Sequence, residues 1–156
     1  MTSGWFDVRK RYCILTALTA GVHVIASATP DSQVSGARHS ADCVAVLRSA
    51  TDGLAGQVKA GRQELKPVLL ARLEEGAAFI GHSYLGGNRD EKQSKAMLEA
   101  ATDAQKFLTP QELSALQLGC SKEGGELLEA TNSLNRVVIK RVATNRMDKL
   151  LKLAGN

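Results

Sequence analysis

Cys43 and Cys120 constrain this chain more than any other feature. They lie 77 residues apart, and each falls on a line of apolar residues at three- and four-residue spacing. That spacing marks one face of an α-helix, so a fold that bonds the two sulfurs must pack an early helix against a late one. Closing so long a loop stabilises a native state by about 4 to 5 kcal/mol in the chain-entropy picture.

The pairing rests on a reading of the N-terminus. Arg9, Lys10 and Arg11 precede Tyr12–Ile25, a stretch with no formally charged side chain, which ends in Ala26-Ser27-Ala28. A basic cluster, a short apolar segment and a small-x-small site describe a secretory signal peptide. The expected first mature residue is Thr29. The apolar run is shorter than the roughly 20 residues that span a bilayer, and Lys10-Arg11-Tyr12 before Cys13 is unlike a lipobox. Cleavage removes Cys13 and leaves an even pair in a compartment where disulfides persist. The mature chain is thus expected to be periplasmic or secreted, with no stable membrane insertion.

The 156 residues suit one domain with one core. Six aromatics and an apolar fraction carried by Ala and Leu favour helices over sheets. Without the leader, 17 basic residues face 15 acidic ones. A balance of +2 gives no reason to expect nucleic acid as a partner. The expected organisation is a signal peptide over 1–28, a flexible tether over 29–38 and a single all-α domain over 39–156, a bundle of four to five helices with one inter-helix disulfide.

Along the mature chain, a first helix is expected from near Ser40, with Cys43, Leu47, Thr51, Leu54 and Val58 on its inner face, ending at Gly61. A second runs from about Glu64 to Leu85, with Pro67 in its first turn and Leu65, Leu69, Leu73, Gly76, Ile80 and Tyr84 as its stripe. Gly76 and Gly81 offer places for a close helix approach, and Gly86-Gly87 a left-handed cap. Asn88 with Glu91 reads as a capping box for a third helix to about Phe107, turning Met97, Leu98, Ala101 and Ala104 inward. Thr109-Pro110-Gln111-Glu112 is the sharpest boundary, with an N-cap threonine, proline at the first helical position and glutamate at the third.

The last helix keeps an apolar line through Leu113, Leu116, Cys120, Leu127, Thr131, Leu134, Val138 and Val142. In an up-down bundle, Cys43 near the start of the first helix should meet the far end of the last, yet Cys120 is only about three turns in. A break or bend near Gly119 or Gly124-Gly125 is therefore expected. Past Asn145 the line fails, and the final turns are expected to leave the bundle.

Chemistry-bearing motifs are scarce. Gly81-His82-Ser83-Tyr84-Leu85-Gly86-Gly87 looks like a nucleophile elbow with one residue inserted, but its surroundings are helical and its second spacing is wrong. Two mature histidines, His39 and His82, with two bonded cysteines make no zinc set, and no haem or calcium motif is present. Glu74-Glu75 and Asp90-Glu91 read as a helix edge and a first turn, where acids complement the dipole. No cofactor, metal or catalytic residue is expected. The C-terminal bases Arg136, Lys140, Arg141, Arg146, Lys149 and Lys152 stand against the single acid Asp148, a candidate surface for an acidic partner.

Ala77, Ile80, Gly81 and Tyr84, the Leu85-Gly86-Gly87 turn, and then Met97 and Ala100 resemble one helical hairpin of the tetratricopeptide or Sel1-like repeats over residues 77–101. Gln93 departs from the pattern, where the family has a small alanine. The resemblance implies two closely nested helices and a scaffold that binds peptides or proteins without catalytic residues. The functional expectation is a non-catalytic protein-binding protein of the bacterial envelope, as an adaptor, inhibitor, immunity-type protein or chaperone. The alternatives are a small-ligand carrier with a cavity between helices and, behind it, a small carboxylate-using hydrolase.

Overall fold

The structure is a computed structural model that describes the backbone of residues 30–152 and the side chains of residues 34–152. The expected leader lies outside the described residues. Five α-helices follow one another with no strand among the described residues: α1 Pro30–Lys59, α2 Lys66–Leu85, α3 Glu91–Gln105, α4 Pro110–Ala130 and α5 Ser133–Lys152, with a short 3-10 turn at Gln63–Leu65. The protein is an all-α bundle, and Cys43 is disulfide-bonded to Cys120.

Local chemistry sets most boundaries. At the end of α1, Gly61 has φ 105°; its N–H reaches Val58 O and the Arg62 N–H reaches Gln57 O, both at 3.1 Å. Gly87, at φ 104°, closes α2 in the same way, with bonds from Gly87 N to Tyr84 O and from Asn88 N to Ser83 O. These are Schellman caps, which a left-handed glycine makes without Cβ strain. Thr109 and Glu112 form the full reciprocal capping box of α4. The cap of α3 is Asp90, whose side chain accepts from Gln93 N at 2.9 Å, in place of the expected Asn88.

α1 is the central helix and packs against the other four. Its stripe holds as expected: Cys43, Leu47, Thr51 and Val58 are buried. One core cluster gathers Cys43, Val46, Leu47, Phe79 and Cys120, with Val44, Leu113, Leu116 and Leu127 around it. The second joins Ala55, Val58 and Leu69 to Leu54, Leu65, Leu73, Met147, Leu150 and Leu151.

Several expectations change. Residues 30–38 form the opening turns of α1, where a tether was expected, and Ala37 is buried. Cys43 is consequently the fourteenth of thirty residues in α1, and Cys120 the eleventh of twenty-one in α4. Mid-helix meets mid-helix, so the bridge needs no bend at either glycine site. The break falls instead at Thr131-Asn132, where Asn132 Oδ1 accepts from Asn135 N at 2.9 Å and starts α5. Arg136 seals the other side, its Nη2 donating to Leu128 O at 2.7 Å and to Glu129 O at 3.0 Å.

The break resets the helical phase. Ala143, Met147, Leu150 and Leu151 become the inner face of α5, so the final turns stay in the bundle rather than leaving it. In α2 the inner face around Gly76 is Glu75, Ala78 and Phe79, while Ile80 and Tyr84 are exposed. In α3, Ala101 is buried and Ala104 exposed. The close approach expected at Gly76 or Gly81 occurs at Gly124, where α4 lies on Glu75 and Phe79 of α2. α2 and α3 each dock on α1, and an open groove separates their facing sides.

Candidate functional site

The phase reset leaves the other face of α5 outside. Leu134, Val138 and Val142, spaced four apart, are 74%, 56% and 54% exposed, and Val137 beside them is 66% exposed. A row at that spacing is one continuous strip of helix surface. It runs into a groove of about 480 Å³ between the C-terminal half of α2 and the α4–α5 junction, lined by Tyr84, Leu85, Leu127, Asn135, Val138 and Ile139 among others. Ile80 and Leu85 extend the exposed apolar surface along α2. Scattered apolar side chains are ordinary on a surface; a helically spaced row continuous with an apolar groove is the kind of patch that a partner covers.

The basic residues singled out in the sequence are all on this helix and all exposed. Arg136 is committed to the carbonyl end of α4. Among the described residues, Lys140, Arg141, Arg146, Lys149 and Lys152 make no ion pair with an acid. Helical spacing makes Arg146 the next step of the row after Val142, places Arg141 beside it and Lys149 and Lys152 further along the same side, and turns Lys140 away. The structure thus divides the basic set: Arg136 caps α4, Arg141 and Arg146 border the row, Lys149 and Lys152 lie beyond its end, and Lys140 faces the other way. The apolar row itself was visible as a periodicity but was expected in the core, because nothing in the spacing distinguishes an inner strip from an outer one.

The remaining motifs lie in helices, helix ends and caps. Gly81-His82-Ser83-Tyr84-Leu85 is the last turn and a half of α2, and the half-buried Ser83 hydroxyl accepts from Asn88 Nδ2 at 3.2 Å. Asp90 and Glu91 open α3. Glu74 lies on the edge of α2, but Glu75 is buried against Gly124 and bound by Arg72 Nη1 at 2.9 and 2.8 Å.

Burial pushes the Glu75 carboxyl above its ordinary value, while the Ser121 hydroxyl and the Arg72 guanidinium pull the other way. Between the ordinary and the raised value, the folded chain keeps a proton that the unfolded chain has released. Stability from this group is therefore present below the ordinary carboxylate range and lost as pH rises through the raised value. Urea denaturation from about pH 4 to pH 7 should show Glu75→Gln gaining on the wild type as pH rises. A difference that is flat or falls with pH would rule this out.

No family model, no curated protein and no solved structure matches this chain. No described helix is long and apolar enough to cross a membrane.

Proposed function

We propose that this chain is an exported, non-catalytic protein-binding protein of the bacterial envelope, and that its partner docks on the outer face of α5. The observation that carries this reading is the exposed row Leu134, Val138 and Val142, continuous with the groove beside Tyr84 and Leu85. Arg141 beside it and Arg146 one step past Val142 favour a partner that presents an apolar helix or ridge bordered by acids. The disulfide and the leader-like N-terminus support an oxidising compartment. The hairpin resemblance over residues 77–101 points to the same class of function.

The test is a photoreactive residue placed at Val142 in the full chain, expressed in its source cells. The expected result is a cross-link to one envelope protein through an acidic, apolar segment. The doubly charged variant Leu134→Asp, Val138→Asp should then bind that protein at least about tenfold more weakly, with an unchanged unfolding midpoint because both sites face solvent. Cross-links confined to this chain's own residues 1–29, or unchanged affinity of the variant, would overturn the docking face. Intact mass from the envelope fraction tests export separately. A chain beginning at Thr29, with Cys43 and Cys120 blocked until reduced, is the expected species.

A second reading has one observation behind it. The groove between α1, α2 and α3 has a volume of about 550 Å³ and is lined by Val44, Phe79, Tyr84, Met97 and Leu98 among others, room for a small apolar ligand. Stoichiometric, saturable binding of a fluorescent fatty acid, abolished by Met97→Glu, would favour a carrier. The carboxylate hydrolase has less support, since Glu75 is enclosed and tied to Arg72.

A further inference from the structure

Two pairs of side chains meet where α1 crosses α4. His39 and Cys43 are four residues apart on α1, and Cys120 and Glu123 three apart on α4, so each pair projects from one helix face. His39 Nε2 is 2.7 Å from Glu123 Oε2 and 3.9 Å from Cys43 Sγ. These three donor atoms all lie within 4.8 Å of one another. Cys120 Sγ is bonded to Cys43 Sγ, so a fourth candidate donor adjoins one member of the cluster.

The environment has two sides. Both sulfurs are buried, walled by Val46, Leu47 and Phe79. His39 and Glu123 are 53% and 43% exposed and form the open side of the cluster. The edge-to-face contact of His39 with Phe79, centroids 6.3 Å apart, restrains the imidazole. An exposed His–Glu pair is by itself worth only about 0–1 kcal/mol, which does not account for its placement against the one disulfide.

We propose that these four residues are a redox-gated zinc site: a disulfide when oxidised, a tetrahedral Cys43–Cys120–His39–Glu123 site when reduced. A dithiol reductant supplies two electrons and two protons to the S–S bond and becomes a disulfide itself. Zinc(II) then displaces both thiol protons, bonds the two thiolates, and takes the lone pairs of His39 Nε2 and a Glu123 oxygen. The imidazole keeps its proton on Nδ1. Tetrahedral zinc, with bonds of about 2.0 Å to N or O and 2.3 Å to S, wants its ligands about 3.3 to 3.8 Å apart. His39 Nε2 and Cys43 Sγ, 3.9 Å apart, are close to that spacing; the two sulfurs must separate, and His39 Nε2 and Glu123 Oε2 must move apart from 2.7 Å. With both cysteines bonded the chain has no zinc set; the reduced chain restores both thiols, and Glu123 supplies a ligand that sequence spacing does not reveal. Before oxidation, the metal would hold α1 to α4 at the same point where the disulfide holds them afterwards.

The experiment uses the full chain with Cys13→Ser, so that only two thiols remain. Cobalt(II) is titrated into the phosphine-reduced and the oxidised protein, followed by zinc(II). The reduced chain should take one equivalent of cobalt, with the visible bands of a tetrahedral site and a thiolate charge-transfer band. Zinc should displace it, and should raise the unfolding midpoint of the reduced chain alone. The oxidised chain should show neither band. His39→Ala and Glu123→Gln should each weaken zinc binding about tenfold or more in chelator competition, since even losing a supporting partner of a metal ligand costs that much. If reduction unfolds the chain, zinc should refold it. A reduced chain that shows no tetrahedral bands, that stays unfolded with zinc, or that binds zinc equally tightly in both variants overturns the proposal.

Discussion

Replacing both Cys43 and Cys120 by alanine is expected to cost about 4 to 5 kcal/mol, the chain entropy released by opening a loop of 77 residues. Against a typical total of about 5–15 kcal/mol, that leaves a marginal fold. The melting temperature should fall by about 15–25 °C for a domain of this size. The large effect follows from the position of the bridge. It ties the middle of α1 to the middle of α4 in the Phe79 cluster, so the unfolded chain loses its longest-range constraint. Cys43→Ala alone should cost nearly as much as the double variant, because either breaks the bond. Chemical denaturation without reductant and metal decides it: a loss below about 1 kcal/mol would mean that the bond does not constrain the unfolded chain as this picture requires.

Gly124→Ala is expected to destabilise the protein by about 2 kcal/mol, although helix propensity alone predicts a gain of about 1 kcal/mol. A Cβ at Gly124 would lie 2.8 Å from Glu75 Cβ and 3.2 Å from both Glu75 Cα and Phe79 Cε2. Those are backbone-proximal atoms and a packed ring, so α2 and α4 would have to separate, an overpacking cost of about 3 kcal/mol. Gly119 is the control, in the same helix with open space at its Cβ position. Gly119→Ala should gain up to about 1 kcal/mol. Opposite signs in urea denaturation would locate the close approach at Gly124, and a gain at both sites would refute it.

The candidate site was only partly legible. The row Leu134, Val138, Val142 and the exposed bases of α5 are plain in the spacing, yet the row is expected inside the bundle and lies outside it. The reason is the break at Thr131-Asn132: it interrupts the line that runs through Leu127 and restarts the helix in another phase. Thr131-Asn132-Ser133 does carry a signal, three residues that favour caps and turns over helix interiors. Gly124-Gly125 is the stronger helix-breaking signal by propensity, yet both glycines are helical, and Gly124 lets α4 lie against α2. The His39–Glu123 pair had no sequence signal at all, since its members are 84 residues apart and neither lies in a motif.

By itself the sequence determined what depends on neighbours along the chain: the helical class, the Thr109–Glu112 box, the glycine caps at Gly61 and Gly87, and the inner face of α1. These follow from backbone sterics, short-range hydrogen bonds and a 3.6-residue period. Cysteine parity under the leader reading added the Cys43–Cys120 bond. Tertiary structure decided which side of α5 is core and which is surface, that Glu75 is buried, and that His39 and Glu123 meet beside the disulfide. Periodicity defines a face but not its neighbour; only the phase between helices, set by the Thr131-Asn132 break and the Gly124 contact, assigns one.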